Sequence, residues 1–355
     1  MAPPRKTSQG SIRAPVRSAP GTAQAKKDAK TPVPSKPSGV ANTEEVEKPI
    51  GKVVDIKTAA DLKDPPTKPA GEKKAPFHIQ EAGTGEQYLN LMVYAEYGVG
   101  KTFLMGTSVS VPQMEDVLLI DAESGDLTLT STDSYDFDKI DRIKVTDYSQ
   151  ISRVYEYLAV HCKLRDSKDP DDIERLRKHE SKLKGREIKK PRRYRTVIID
   201  SLTEVETYCM YGLLGINDMT AIDEETASPE WNEYKKQNNS VQRLIRKFRN
   251  LPMNVLMVCA CDYVQDDQKR MLYVPKMTGQ LRNSCQGFMD MVGYMVLVKG
   301  SDDEMHRRMW VQPVGRFKAK CRFSNYTKTH FDDPTLAKIL KAVGLTSGKS
   351  AKAAT

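Results

Sequence analysis

The sequence predicts an α/β protein, a mostly parallel twisted sheet with helices on both faces, preceded by a basic arm outside the fold. Three observations predict it. Apolar runs of strand length recur at 88–95, 117–121, 196–200, 254–261 and 291–298. Helical patterns alternate with them at 101–109, 150–161, 202–214 and 231–250, with a last one at 335–343. Such alternation requires crossover connections and hence parallel strands. Finally, the first apolar run leads straight into a glycine-rich turn and a helix.

Taken in order, the chain opens with residues 1–76, an arm rich in proline and lysine. Residues 1–75 hold 11 of the 20 prolines, and stretches such as TPVPSKPSG bury too little apolar surface to offset ordering entropy. Residues 1–40 carry eight Lys/Arg against Asp28 alone. That charge suits either phosphate contact or a solubilising linker. Residues 77–345 form the expected globular domain, with weaker strands at 142–145 and 308–312. Within it, 163–195 is a charged insertion with 14 Lys/Arg and 7 Asp/Glu, read as a solvated helix and a basic turn, with nucleic-acid contact as the alternative. Residues 346–355 are a short tail.

The whole chain has 355 residues, 39 % hydrophobic content and a formal charge of +9. No apolar stretch approaches the roughly 20 residues of a membrane helix, the best being 289–298. The N-terminus lacks the apolar segment of a secretory signal, and six scattered cysteines do not make a disulfide scaffold. The expectation is a soluble cytoplasmic protein without a membrane partner.

The chemistry concentrates in Ala95-Glu96-Tyr97-Gly98-Val99-Gly100-Lys101-Thr102, between a strand and a helix. It follows G-x-x-x-x-G-K-[ST], with Ala95 in place of the first glycine. Gly98 and Gly100 let backbone N–H groups turn toward phosphate oxygens, and the following helix adds its positive end. Lys101 reaches the β/γ-phosphates of ATP and the Thr102 hydroxyl can ligate Mg²⁺. A bound metal calls for a carboxylate, and Asp200 stands at the end of TVIID as a Walker B acid; its alternative role is to cap the next helix. Glu123, two residues beyond VLLID, is placed to activate water if it faces the γ-phosphate, and is otherwise a loop carboxylate. Five dispersed histidines show no zinc spacing with cysteine. Cys259 and Cys261 read as core, and Trp231 and Trp310 as packing residues.

LLIDAESGDL resembles the RecA-family segment in which Asp-Ala-Glu supplies the catalytic glutamate, and the order of later segments continues the likeness over about residues 88–322. The resemblance is greatest to the short RecA-core ATPases of phages, including their single-strand annealing proteins. It implies a RecA-like P-loop core with Mg²⁺-dependent ATP hydrolysis on single-stranded DNA. It also implies a ring or filament of like subunits, single-strand-binding or other replication proteins as partners, and the host cytoplasm as location. By the same resemblance, Lys318 and Lys320 are similar to the paired lysines that enter a neighbouring subunit's ATP site. An exposed basic edge is the other reading, and Arg322 an alternative finger. The γ-phosphate sensor falls on Asp262 or is missing, since Cys259, Ala260 and Cys261 fill that strand end. Of the two loops that contact DNA in the family, the counterpart GINDMTAIDEETASPEW is acidic. The other holds Lys269, Arg270, Tyr273, Lys276 and Arg282, which suit a single strand or a plain hairpin turning at 266–268. A helicase-type motor, a small-molecule P-loop kinase and a non-hydrolysing scaffold are the competing functions.

Overall fold

The structure is a computed structural model and describes residues 87–345, apart from 126, 131–133, 182–191 and 302. The expected arm, residues 182–191 of the charged insertion and the tail lie outside the described residues. All five apolar runs form strands: β1 (Asn90–Ala95), β2 (Val117–Asp121), β4 (Thr196–Asp200), β5 (Asn254–Gln265) and β7 (Met291–Lys299). The weaker ones become β3 (Ile140–Lys144) and β8 (Met305–Trp310), while β6 (Met271–Pro275), β9 (Lys320–Cys321) and β10 (His330–Asp332) complete the sheet. The helices are α1 (Lys101–Gly106), α2 (Leu127–Thr130), α3 (Tyr148–Leu164), α4 (Pro170–Glu180), α5 (Leu202–Leu214), α6 (Trp231–Arg249), α7 (Leu281–Phe288) and α8 (Leu336–Val343).

The sheet runs β10-β8-β7-β1-β5-β4-β2-β3, with β6 added to β5 and β9 to β7. From β7 to β3 every pairing along that path is parallel. Side chains alternate between the faces. Met92 and Tyr94 of β1 join a core with α3, α5, α6 and α7, whereas Leu91, Val93 and Ala95 join a second core with α1 and α8. Both faces are thus covered, which is why these strands read as continuous apolar runs.

Caps set the helix starts. Asp147 accepts from Gln150 N (3.0 Å) at α3 and Thr335 from Lys338 N (3.2 Å) at α8, and a capping box of Glu230 and Glu233 opens α6. Several expected placements moved. The helix after the glycine-rich turn stops at Gly106 and tightens into a 3-10 turn at Thr107–Ser110. β5 runs four residues beyond Cys261 because β6 folds back to pair with it in a hairpin. Lys318 precedes β9, so the two lysines do not share a strand. The Tyr94 hydroxyl donates to Lys318 O (2.8 Å) and accepts from its N–H (2.9 Å), holding that residue outside the ladder. Among the described residues no helix is long and apolar enough to cross a membrane.

Candidate active site

Parallel strands end together, and here their carboxyl ends bring four distant segments to one edge. Ala95 pairs in register with Ala260, and Asp121 with Asp200. β5 lies between β1 and β4, which opens the space into which the residues after β1 turn. Gly98 (φ 76°) and Gly100 (φ 99°) adopt left-handed backbone that an L side chain resists. Gly100 has a second reason to lack a side chain, because a Cβ there would lie 2.6 Å from the Arg307 guanidinium.

The Thr102 hydroxyl donates to Asp200 Oδ2 at 2.5 Å. Asp200 is buried, and its Oδ1 has no hydrogen-bond partner among the described residues. Burial pushes its carboxyl up to about 6; the Thr102 bond and Lys101 oppose that shift, and Glu123 adds to it. Lys101 is buried too. Its Nζ donates to Glu96 O (2.9 Å) and Ala95 O (3.2 Å), closing the turn on itself. Burial lowers its pKa, while Glu123 and Asp200 pull it back up. A hydroxyl and a carboxylate with one unused buried oxygen form a hard, all-oxygen donor pair, which fits Mg²⁺.

Glu123 is exposed on the turn after β2 and accepts a short hydrogen bond from the Ser201 hydroxyl. Ser201 also caps α5, accepting from Glu204 N (3.4 Å). The turn is pinned by Asp121, whose buried carboxylate takes Arg142 Nε (2.7 Å) and Gly125 N (3.2 Å). A Cβ on Gly125 would sit 3.7 Å from Thr102 Oγ1, so this acidic turn overlies the Thr102–Asp200 pair. The Asp-Ala-Glu segment thus divides its work. Asp121 fixes the turn and leaves Glu123 at the mouth of the site.

Arg307 belongs to the site and was missed in the sequence. From β8 its Nε donates to Val99 O (3.0 Å), and its guanidinium lies 5.4 Å from the Phe103 ring centroid. Its backbone is clamped by Asp333 on both sides (3.0 and 2.7 Å). Nothing in the MHRRMW segment distinguishes this arginine from Arg308 except the strand alternation that turns one of the two toward the P-loop.

The other predicted residues lie elsewhere. Lys318 Nζ donates to Asn283 Oδ1 (2.8 Å), and Lys320 Nζ donates to the carbonyls of Gln286 (3.0 Å) and Met289 (2.8 Å) at the end of α7. Within one chain both lysines therefore serve α7. Arg322 reaches Gly287 O (2.7 Å) and Asp290 (3.3 Å). On the hairpin of β5 and β6, Arg270 pairs with Asp266 (2.7 Å) across the turn, and Lys269 occupies its left-handed position at φ 61°. Arg282 pairs with Asp262 (3.0 Å), and Tyr273 packs among Tyr263 and Tyr294. Lys276 is exposed. The hairpin meets the P-loop where the Tyr263 hydroxyl donates to Glu96 Oε1, which pushes the phenol up to about 12.

With the strand of the phosphate turn separated by β5 from the strand of Asp200, and the acidic turn of β2 beyond it, the layout is that of a RecA-like P-loop ATPase core. The chain belongs to the AAA domain family, which matches residues 87–323. It is therefore a nucleotide-binding protein of ATPase type, in a family that binds ATP with Mg²⁺. No curated protein matches the sequence. Among solved structures it is similar to the flagellar accessory protein FlaH from Methanocaldococcus jannaschii. The identity is 9 %, with 70 % of this chain and 86 % of that chain covered and a TM-score of 0.35.

Proposed function

We propose that this protein is an Mg²⁺-dependent ATPase acting on single-stranded DNA, of the kind phages use in recombination or replication, working in the cytoplasm of a host cell. The observation that carries the hydrolytic reading is the Thr102–Asp200 pair with its unused oxygen, overlain by the turn that bears Glu123. Mg²⁺ bound by Thr102 and Asp200 would neutralise phosphate charge and polarise the γ-phosphoryl group. Lys101 exchanges its two carbonyl partners for phosphate oxygens. The backbone N–H groups of the turn from Ala95 to Thr102, including those of Glu96, Tyr97 and Val99, are donors to the remaining phosphate charge. Glu123, oriented by Ser201, accepts the proton of the attacking water.

Two features support the single-strand reading. Lys269 and Lys276 keep exposed charges on or beside the hairpin, close to Arg270, Tyr273 and Arg282. The hairpin also meets the P-loop through Tyr263 and Glu96, so a strand lying on it can influence the nucleotide. In a ring or filament, Lys318 and Lys320 are the groups proposed to cross toward a neighbour's ATP, leaving their places on α7. Single-strand-binding or other replication proteins are the partners proposed with it.

The test is Glu123→Gln, which keeps shape and the Ser201 bond but removes the base. Turnover is expected to fall about 10²–10⁴-fold with MgATP affinity retained, and parental turnover is expected to rise with single-stranded oligonucleotide. Unchanged kcat overturns the role of Glu123, and turnover indifferent to DNA overturns the substrate reading.

A further inference from the structure

A second concave site lies away from the P-loop, between α5 and α6 and the segment linking β6 to α7. It is a cavity of about 500 Å³. Helical spacing builds its wall from α6. Tyr234 and Gln237, three residues apart, line the cavity, and Trp231 lies three residues before Tyr234 at the start of the helix.

At the floor, Gln237 is 4 % exposed and donates Nε2 to Glu206 O (2.9 Å), while its Oε1 has no partner among the described residues. Beside it the Glu206 carboxylate, 5 % exposed, accepts from Thr278 N at 2.9 and 3.2 Å, and the Thr278 side chain and the Arg282 charge also act on it. A buried acceptor left without a donor is costly. The open amide oxygen asks for a ligand that brings N–H groups, in a lining where Lys276 and Arg282 stand beside Glu206 and Asp262. The cavity already shows the pattern once, since the chain's own Arg282 guanidinium occupies the Asp262 end (3.0 Å).

The loop that joins α5 to α6 supplies negative charge. The loop between α5 and α6 carries Asp218, Asp223, Glu224, Glu225 and Glu230, and no Lys or Arg occurs from 215 to 234. On it Met219 is 91 % and Ile222 fully exposed, and Trp231 at the start of α6 is 84 % exposed. Trp231 was expected to pack, and it does not. Three large apolar side chains held in water beside five carboxylates mark an interaction surface. The carboxylates repel a phosphate backbone and attract a basic polypeptide.

We propose that this face docks a basic, partly apolar polypeptide segment of a partner protein, with one arginine or lysine entering the cavity toward Glu206 and Gln237 and apolar residues covering Met219, Ile222 and Trp231. The site goes beyond the ATPase reading and does not depend on nucleotide binding, although Lys276 and Arg282 of its lining also belong to the single-strand surface proposed above. A guanidinium suits the cavity best, because its planar fork can donate to a carboxylate and an amide oxygen at once.

The full-length protein is titrated with a fluorescein-labelled 12-residue peptide alternating arginine and leucine, with a glutamate-for-arginine peptide as control. Anisotropy should show saturable binding of the first peptide alone, weakening as salt rises, and tryptophan emission should shift to the blue. Trp231→Ala and Ile222→Ser lie on the surface and leave the fold intact; each should weaken binding at least tenfold, and Trp231→Ala should abolish the emission shift. Asp223→Asn/Glu224→Gln/Glu225→Gln should flatten the salt dependence, and Gln237→Leu should weaken the arginine peptide more than a peptide of norleucine and leucine. MgATP affinity stays parental in all of these, so this site and the P-loop fail or stand separately. Peptide affinity unchanged by both Trp231→Ala and the acidic triple variant overturns the proposal. So does a single-stranded oligonucleotide that displaces the peptide and itself shifts the emission.

Discussion

The phosphate edge of the sheet and the hairpin beside it use polar side chains in opposite ways. At the edge, Asp200 keeps an oxygen without a partner among the described residues, and Lys101 is held by carbonyls of its own turn. On the hairpin and α7, most predicted cations have spent their charge inside the chain: Arg270 on Asp266, Arg282 on Asp262, Lys320 on the end of α7. Basic composition therefore says little about a binding surface until internal partners are subtracted. A buried acceptor left open is the more specific mark of a ligand, because leaving it so has a cost.

The largest expected effect is at the open end of this comparison. Lys101→Ala should lower MgATP affinity by at least 10²-fold with the fold intact, measured by calorimetry alongside circular dichroism. Lys101 supplies phosphate charge and little packing, so an affinity equal to the parent's would remove the P-loop reading.

The next effect is a pH dependence at Asp200. Its folded-state value of about 6 lies above the ordinary 3.8, so the folded state holds the proton more tightly. The associated stabilisation, about 3 kcal/mol, is fully present below pH 4 and lost as pH rises through 6. In Mg²⁺-free buffer Asp200→Asn should therefore match the parent near pH 4 and exceed its stability at pH 7. Saturating Mg²⁺ should reverse that order, because it binds the ionised carboxylate. Parallel pH–stability curves for the two proteins would show Asp200 to be an ordinary surface-like acid.

The hairpin can be sharpened by comparing its free and paired cations. Lys269→Ala and Lys276→Ala should each reduce the log–log salt slope of single-strand binding by about 0.7 with unchanged melting temperature. Arg270→Ala should alter the slope less, since Asp266 already screens that charge. Equal slope changes for all three would mean that the ion pair opens on DNA.

The smallest effect belongs to Lys320. Its ammonium caps carbonyls at the end of α7, so Lys320→Ala should destabilise the monomer by about 1 kcal/mol, read as a lower melting temperature. If turnover falls while melting is unchanged, the lysine serves a neighbouring subunit's nucleotide instead.

Much of the fold was legible because its strands are buried on both faces and therefore written as unbroken apolar runs. Their order and the helices between them gave the parallel sheet. The P-loop was legible because phosphate binding needs glycine, lysine and a hydroxyl at fixed local spacing. β6, β9 and β10 were harder to see, being short and only partly covered, and β5 outran its apolar segment because a hairpin partner, and no longer a core, satisfies its backbone.

What the sequence determined by itself was whatever depends on neighbours in the chain: the glycine turn, the helix caps, the strand-ending acids Asp121 and Asp200. What only the tertiary structure decided were relations across the sheet. Residues 98 positions apart, Thr102 and Asp200, meet in one hydrogen bond. Arg307, 208 residues beyond Val99, supports the P-loop. Trp231 stays in water while Gln237, six residues on in the same helix, is buried. Local spacing encodes backbone conformation, whereas the identity of a side chain's partner depends on strand order and register, and those are fixed only when the whole sheet has closed around its two cores.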